Sequence, residues 1–294
     1  MPAQLSEPTR HSYHSHRLKL NYVDWGNADA PPMIMIHGGR DHARSWDWVA
    51  AELKSDYHIM AVDLRGHGDS AWTNSATYAV DEFVYDLAEL IHQKNLPPVT
   101  IICHSLGGII GLRYSGIYPE NVTKLVAIEG LGLGRRRAKL GDQEPAPKRY
   151  RNWIEELRKI GTWEERRYDS LEGAIERMAE ANSHLSEEQV RHLTTHGTKQ
   201  NDDGSVSWKF DHYFFTRFSA PAGIQPAEAH EMWSNIQCPA LLVRGAESWA
   251  TDPNEDGNAS HFKECTSVTV ENAAHWVHHD QLEVFLGHVR KFLG

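Results

Sequence analysis

Through the first 130 residues, short continuous apolar runs alternate with amphipathic stretches. The runs are 33–36 (MIMI), 57–62 (YHIMAV), 99–103 (VTIIC) and 125–128 (LVAI). Between them, 45–53, 80–93 and 106–118 repeat apolar positions at helical spacing. Strands that are apolar at every position are buried on both faces, as in a parallel sheet covered by helices. Residues 18–25 (LKLNYVDW) alternate instead, as a strand with one wet face does. The pattern predicts an α/β architecture.

The rhythm breaks after Glu129. From 131 to 235 no buried-strand run occurs, and helical patterns take over. Trp153, Leu157 and Ile160 share one helix face, and Leu171, Ile175 and Met178 share another, with Ser170 as N-cap. Ser186-Glu187-Glu188-Gln189 reads as a capping box, and Gly197 as the stop of that helix. A turn at 201–204 precedes the alternating Val206, Trp208 and Phe210. The sheet pattern returns at 240–243 and 267–270, and an amphipathic helix closes the chain at 282–293. The expected organisation is a core of 1–130 and 236–294, with 131–235 inserted as a helical cap.

Composition narrows the function classes. The 294 residues carry 30 basic and 40 acidic side chains, a formal charge of −10. That excludes a nucleic-acid groove and electrostatic docking on an anionic membrane, both of which need clustered positive charge. Three scattered cysteines, Cys103, Cys238 and Cys265, make neither a disulfide framework nor a metal-ligand pattern. The first 17 residues are polar and His-rich, with no apolar stretch of a secretion signal, so a cytoplasmic location is expected. No metal or cofactor is implied. The expected partner is a small molecule, and a homodimer is compatible with the pattern.

Candidate chemistry sits where runs end. Cys103-His104-Ser105-Leu106-Gly107-Gly108 lies at a strand-to-helix junction. A sharp turn there lifts Ser105 clear of the sheet, onto a helix N-terminus whose N–H groups face any oxyanion formed on a substrate. The blander reading is a helix N-cap serine. His37-Gly38-Gly39 ends an earlier run, where glycines let the backbone turn inward, and the Gly39 N–H can join that of Leu106 as an oxyanion donor. Among 19 histidines, His275 follows the last strand run and precedes the last helix, the place for a general base reaching Ser105.

These residues, with Asp63-Leu64-Arg65-Gly66-His67-Gly68-Asp69-Ser70, resemble the α/β-hydrolase superfamily over about 18–293. The Asp63–Ser70 stretch is similar to that family's D-x-R-G-x-G-x-S turn, a structural feature. The resemblance implies an α/β-hydrolase fold, mostly parallel, with a helical cap after the sixth strand. It also implies a nucleophile, acid and histidine in that chain order. Cys103 replaces the first glycine of the elbow. The acid departs from the pattern: its usual place corresponds to Ser248, which cannot serve. Glu129, at the end of the strand after the elbow helix, is the replacement of choice, a place where haloalkane dehalogenases put theirs. Glu247 and Asp252 are the alternatives.

The expected activity is hydrolysis of a small carboxylic ester or lactone through an acyl-enzyme on Ser105, with His275 as base and Glu129 as acid. Serine at the elbow argues against dehalogenases and epoxide hydrolases of this fold, which use Asp there. A carbon–carbon bond hydrolase of ring-cleavage products is the alternative enzyme, and a weakly catalytic small-molecule receptor the non-enzyme. Arg40, Trp46 and Trp276, beside the candidate loops, are expected to line the substrate site, with Trp48 and Trp249 as further aromatic neighbours. Ordinary packing is the competing reading for each tryptophan, and a surface turn for Arg40. The basic run 135–151 reads as a solvated loop.

Overall fold

The computed structural model describes residues 7–74, 78–132, 145–214 and 226–294. Eight strands form one sheet: β1 (Thr9–Ser15), β2 (Leu18–Asp24), β3 (Pro32–Ile36), β4 (His58–Val62), β5 (Val99–His104), β6 (Val122–Ile128), β10 (Ala240–Gly245) and β11 (Cys265–Val270). Their spatial order is β1-β2-β4-β3-β5-β6-β10-β11. From β4 to β11 every pairing is parallel, while β2 runs antiparallel to β4 and to β1.

The pleat divides the continuous apolar runs between two cores. Ile34, Ile36, Ile101 and Cys103 face Phe83, Leu87 and Leu90 of the helix Val80–Gln93 and Ile110 and Tyr114 of the helix Leu106–Ile117. Met33, Met35, Ile102 and Val126 face Trp46, Val49 and Leu53, together with Phe285, Leu286 and Val289 of the helix Leu282–Leu293. Sheet residues that alternate in direction therefore both find apolar partners.

β1 lies in the stretch expected to be a polar tail. Only Tyr13 and Ser15 of its seven residues are buried, and it pairs along one edge of β2 through 9–15. An edge strand needs backbone partners on one side only, so a polar sequence suffices.

Between β6 and β10 lie the helices Ala146–Ile160, Leu171–Ala181 and Glu187–Gly197. Ser170 caps the second through the Gly173 N–H at 3.3 Å. Ser186 and Gln189 exchange both capping-box bonds at the start of the third, at 3.2 and 2.8 Å. A small antiparallel sheet of β7 (Arg167–Tyr168), β9 (Val206–Trp208) and β8 (Thr198–Gln200) joins them. The helix Pro226–Asn235, placed in the insertion by its lack of a strand pattern, packs on the core instead. Ala229 and Trp233 are buried there, and the carbonyl of Met232 lies against Gly116 of the elbow helix.

The Asp63–Ser70 turn is a scaffold whose polar groups are used internally. Asp63 accepts from the Ala43 N–H, the Asn21 side chain and the Asp69 N–H, at 2.7, 2.7 and 2.9 Å. Gly68, at φ 54°, leaves no room for a side chain, since a Cβ there would lie 2.1 Å from Asp63 Oδ1. Buried Arg65 forks onto Asp86 with two bonds of 2.7 Å. Removing Asp86 alone leaves the buried guanidinium with Glu82 as its remaining carboxylate partner among the described residues. Asp86→Ala is expected to cost about 3–5 kcal/mol in urea denaturation. A loss below about 1 kcal/mol would show that water reaches Arg65 freely.

Candidate active site

β5 delivers Ser105 at a sharp strand-to-helix turn. Its backbone sits at φ 52°, ψ −112°, a conformation a serine adopts only under constraint. Small residues make that turn possible. A Cβ on Gly107 would lie 2.2 Å from the carbonyl oxygen of Ile36, and one on Gly108 would lie 2.3 Å from the Cα of Gly130. Both obstacles are backbone, which cannot swing aside. Gly107→Ala is therefore expected to lose about 2 kcal/mol or more in urea, despite the higher helix propensity of alanine. An unchanged midpoint would contradict the close packing of the elbow. Cys103 fits in place of the first elbow glycine because the facing helix position is Gly111, where a Cβ would stand only 2.9 Å from the Cys103 sulfur.

The Ser105 Oγ lies 3.0 Å from His275 Nε2, and His275 Nδ1 lies 2.7 Å from Glu129 Oε2. An ionised carboxylate only accepts, so Nδ1 carries the proton and Nε2 presents its lone pair to the Ser105 hydroxyl. The Glu129 side chain is fully buried, and that of His275 is partly open to solvent. Glu129 also sits at a positive φ of 50°, just past β6. Two further donors hold its carboxylate: the Gly245 N–H bonds Oε1 at 2.9 Å, and the Ser248 hydroxyl bonds Oε2 at 2.5 Å. Ser248, at the position first expected to carry the acid, thus bonds the carboxylate of Glu129.

The two alternative acids lie elsewhere. Glu247 is half exposed, 3.5 Å from His184. Asp252 accepts the Asn254 N–H at 2.8 Å and closes its own turn.

The Gly38-Gly39 turn abuts the elbow. A Cβ on Gly38 would lie 3.2 Å from that of Ser105, and one on Gly39 would strike the ring of Phe214. The Leu106 N–H opens its helix and has no acceptor among the backbone carbonyls of that helix. Arg40 is exposed, at φ 65°, beside this turn.

The tryptophans divide. Trp46, expected to line the site, is a core residue instead: it is fully buried and stacks on His278 at 4.6 Å. Trp276 is half-buried, edge-on to His279. Trp48 packs against His192 and His279. Trp249, by contrast, is 73% exposed, with its ring 5.1 Å from that of His275. It borders a solvent-open cleft that also touches Glu129, Leu131, Arg244 and Pro253. Of the basic run 135–151, residues 135–144 lie outside the described residues.

Two residues of the site are nearly silent in the sequence. Phe214 covers Gly39 and carries no periodic signal. His104 Nε2 lies 2.8 Å from the backbone carbonyl of His275, so it donates there and fixes the loop that carries that imidazole. Its place directly before Ser105 is the available hint.

His104 belongs to a set of buried imidazoles. Burial pushes His37 down to about 4 and His279 to about 3, and pushes His42, His104 and His278 well below the usual range. A group whose pKa falls on folding binds its proton more tightly in the unfolded chain. Stability then rises with pH from the folded value to the unfolded one of about 6.5. Asp41, pushed up to about 7 by burial, and Asp63 and Asp280, also raised by burial, act in the opposite sense. The five imidazoles outnumber these three carboxylates. The urea midpoint is expected to be nearly flat above about pH 7 and to fall steeply below about pH 6.5. A midpoint that holds steady down to about pH 5 would contradict this.

Comparison with known proteins agrees with the fold. Residues 33–287 match the alpha/beta hydrolase family. An esterase of Mycobacterium tuberculosis is 27% identical over 282 residues, 93% of this chain and 86% of that one. Epoxide hydrolase 1 of Caenorhabditis elegans is 25% identical over 288 residues, 94% of this chain and 68% of that one. Among solved structures, a thioesterase domain from the curacin biosynthetic pathway superposes with a TM-score of 0.83 at 22% identity, covering 97% of this chain and 100% of that one.

Proposed function

The chain belongs to the alpha/beta hydrolase family, and from that premise we propose that it is a serine hydrolase of small carboxylic esters or lactones. The observation that carries this reading is the unbroken hydrogen-bonded chain from Ser105 Oγ through His275 to the buried Glu129 carboxylate.

His275 takes the Ser105 proton on Nε2 as Oγ attacks the substrate carbonyl. The imidazolium that forms is stabilised by Glu129, which also holds the ring in one orientation. The Leu106 and Gly39 N–H groups receive the developing oxyanion, each donor worth about 10²–10³ in rate. The protonated His275 then gives its proton to the leaving alkoxide, and water attacks the acyl-enzyme with His275 again as base. Arg40 and Trp276 flank the substrate, and Trp249, beside the imidazole, forms part of the entrance.

One relative is named an epoxide hydrolase and another an esterase. The hydroxyl nucleophile and its paired imidazole favour acyl transfer. The test is a panel of p-nitrophenyl esters of increasing chain length and simple lactones, followed in the pre-steady state. A release of one p-nitrophenol per chain ahead of steady turnover is expected where deacylation is slower. A protein that turns over no ester or lactone, yet bleaches the visible chromophore of a dienoic diketone, would point to carbon–carbon hydrolysis instead.

A further inference from the structure

We propose that Asp47, His192 and His196 form a binding site for one divalent transition-metal ion, which ties the helix Glu187–Gly197 to the helix Asp47–Leu53. None of the three belongs to the Ser105–His275–Glu129 chain.

His192 and His196 are four residues apart, so they share one helix face, and their ring centroids are 4.5 Å apart. Asp47 opens the helix after β3 with its carboxylate fully buried, and its Oδ2 lies 3.1 Å from His192 Nε2. One donor atom from each of the three residues falls within 4.8 Å of the other two. Small side-chain rotations bring such a set to metal-ligand distances of about 2.0–2.2 Å.

One feature distinguishes this cluster from a satisfied polar contact. Asp47 Oδ1 is buried and has no hydrogen-bond partner among the described residues. A buried carboxylate oxygen left in that state is costly, and a cation removes the cost.

Arg44 does not close the site. Its Nε and Nη2 both reach Asp47 Oδ2 at 2.7 Å, leaving Oδ1 open, and Glu7 pairs with the same guanidinium at 2.8 Å. The three charged groups together remain net negative. His192 Nε2 also lies 3.2 Å from the Arg44 carbonyl oxygen, a contact the metal would replace. Two imidazoles and one carboxylate suit Zn²⁺, Co²⁺ or Ni²⁺ better than Mg²⁺ or Ca²⁺.

The probe is Zn²⁺, titrated calorimetrically into the chelator-treated full chain. One saturable equivalent and a raised Tm are expected. His192→Gln and His196→Gln should each weaken binding by at least the roughly tenfold lost when a mere outer-shell partner is removed, while each stays folded without metal. His11→Gln with His14→Gln, both exposed on β1, should leave it intact. Absence of saturable binding, or binding that survives both ligand substitutions, overturns the proposal. Should either variant fail to fold, Co²⁺ added to the unaltered chain decides. Visible ligand-field absorption at one equivalent is expected, and a featureless titration refutes the site.

Discussion

Ser105→Ala is expected to lower kcat for an activated ester by about a millionfold, the scale seen when a triad serine is removed from an unrelated protease. The loss follows from the geometry at one atom. The Oγ is the group within 3.0 Å of His275 Nε2, and alanine has nothing to put there. The fold should survive, because alanine keeps the Cβ and the backbone turn is set by Gly107 and Gly108 against Ile36 and Gly130. The measurement is steady-state hydrolysis of p-nitrophenyl butyrate beside a urea melt. A folded Ser105→Ala protein that retains more than about a percent of the rate, on the order of four decades above the expected residue, would remove Ser105 from the mechanism.

Glu129→Gln is expected to cost about 10⁴ in kcat, the size of the loss when a triad carboxylate becomes an amide. The amide cannot accept with both ends. Gly245 N–H and the Ser248 hydroxyl together ask for acceptors at both oxygens, so either orientation of the new amide sets one donor against another. If the amide NH₂ faces His275, the imidazole turns to its other tautomer and Nε2 no longer has a lone pair for Ser105. Glu247→Gln and Asp252→Asn should stay within about twofold, as changes away from an interaction usually do. A silent Glu129→Gln would mean that the carboxylate is only a structural anchor. Ser248 offers a further check. Its hydroxyl is 2.5 Å from Glu129 Oε2, so Ser248→Asp in the background of Glu129→Ala should return part of the lost rate.

The parallel core is legible in the sequence because its strands are buried on both faces. Continuous runs such as 33–36 and 99–103, separated by helical stretches, fit little else. Ser105 and His275 stand out through their place in the order of elements. Glu129 stands out as a carboxylate at a strand end, but what holds it there is invisible at that level. Ser248 as a donor, and the positive φ at Glu129, are properties of the folded turn.

What the sequence hides has common causes. β1 and the small β7-β9-β8 sheet take their stability from backbone pairing at edges, which leaves weak side-chain patterns. The helix Pro226–Asn235 lacks a strand pattern, yet a helix on the core and a helix in a cap bury similar faces. Trp46 shows the same ambiguity in one residue. Its neighbourhood to a candidate loop in sequence says nothing about which way the indole points, and it points into the core.

The central claim is that Ser105 is a nucleophile activated by His275. A fluorophosphonate probe followed by peptide mass analysis tests it most directly. The account predicts one adduct per chain, on the peptide carrying Ser105, absent in Ser105→Ala and strongly slowed in His275→Ala. A protein that hydrolyses esters while Ser105 stays unlabelled, or that takes the label at another residue, would contradict it.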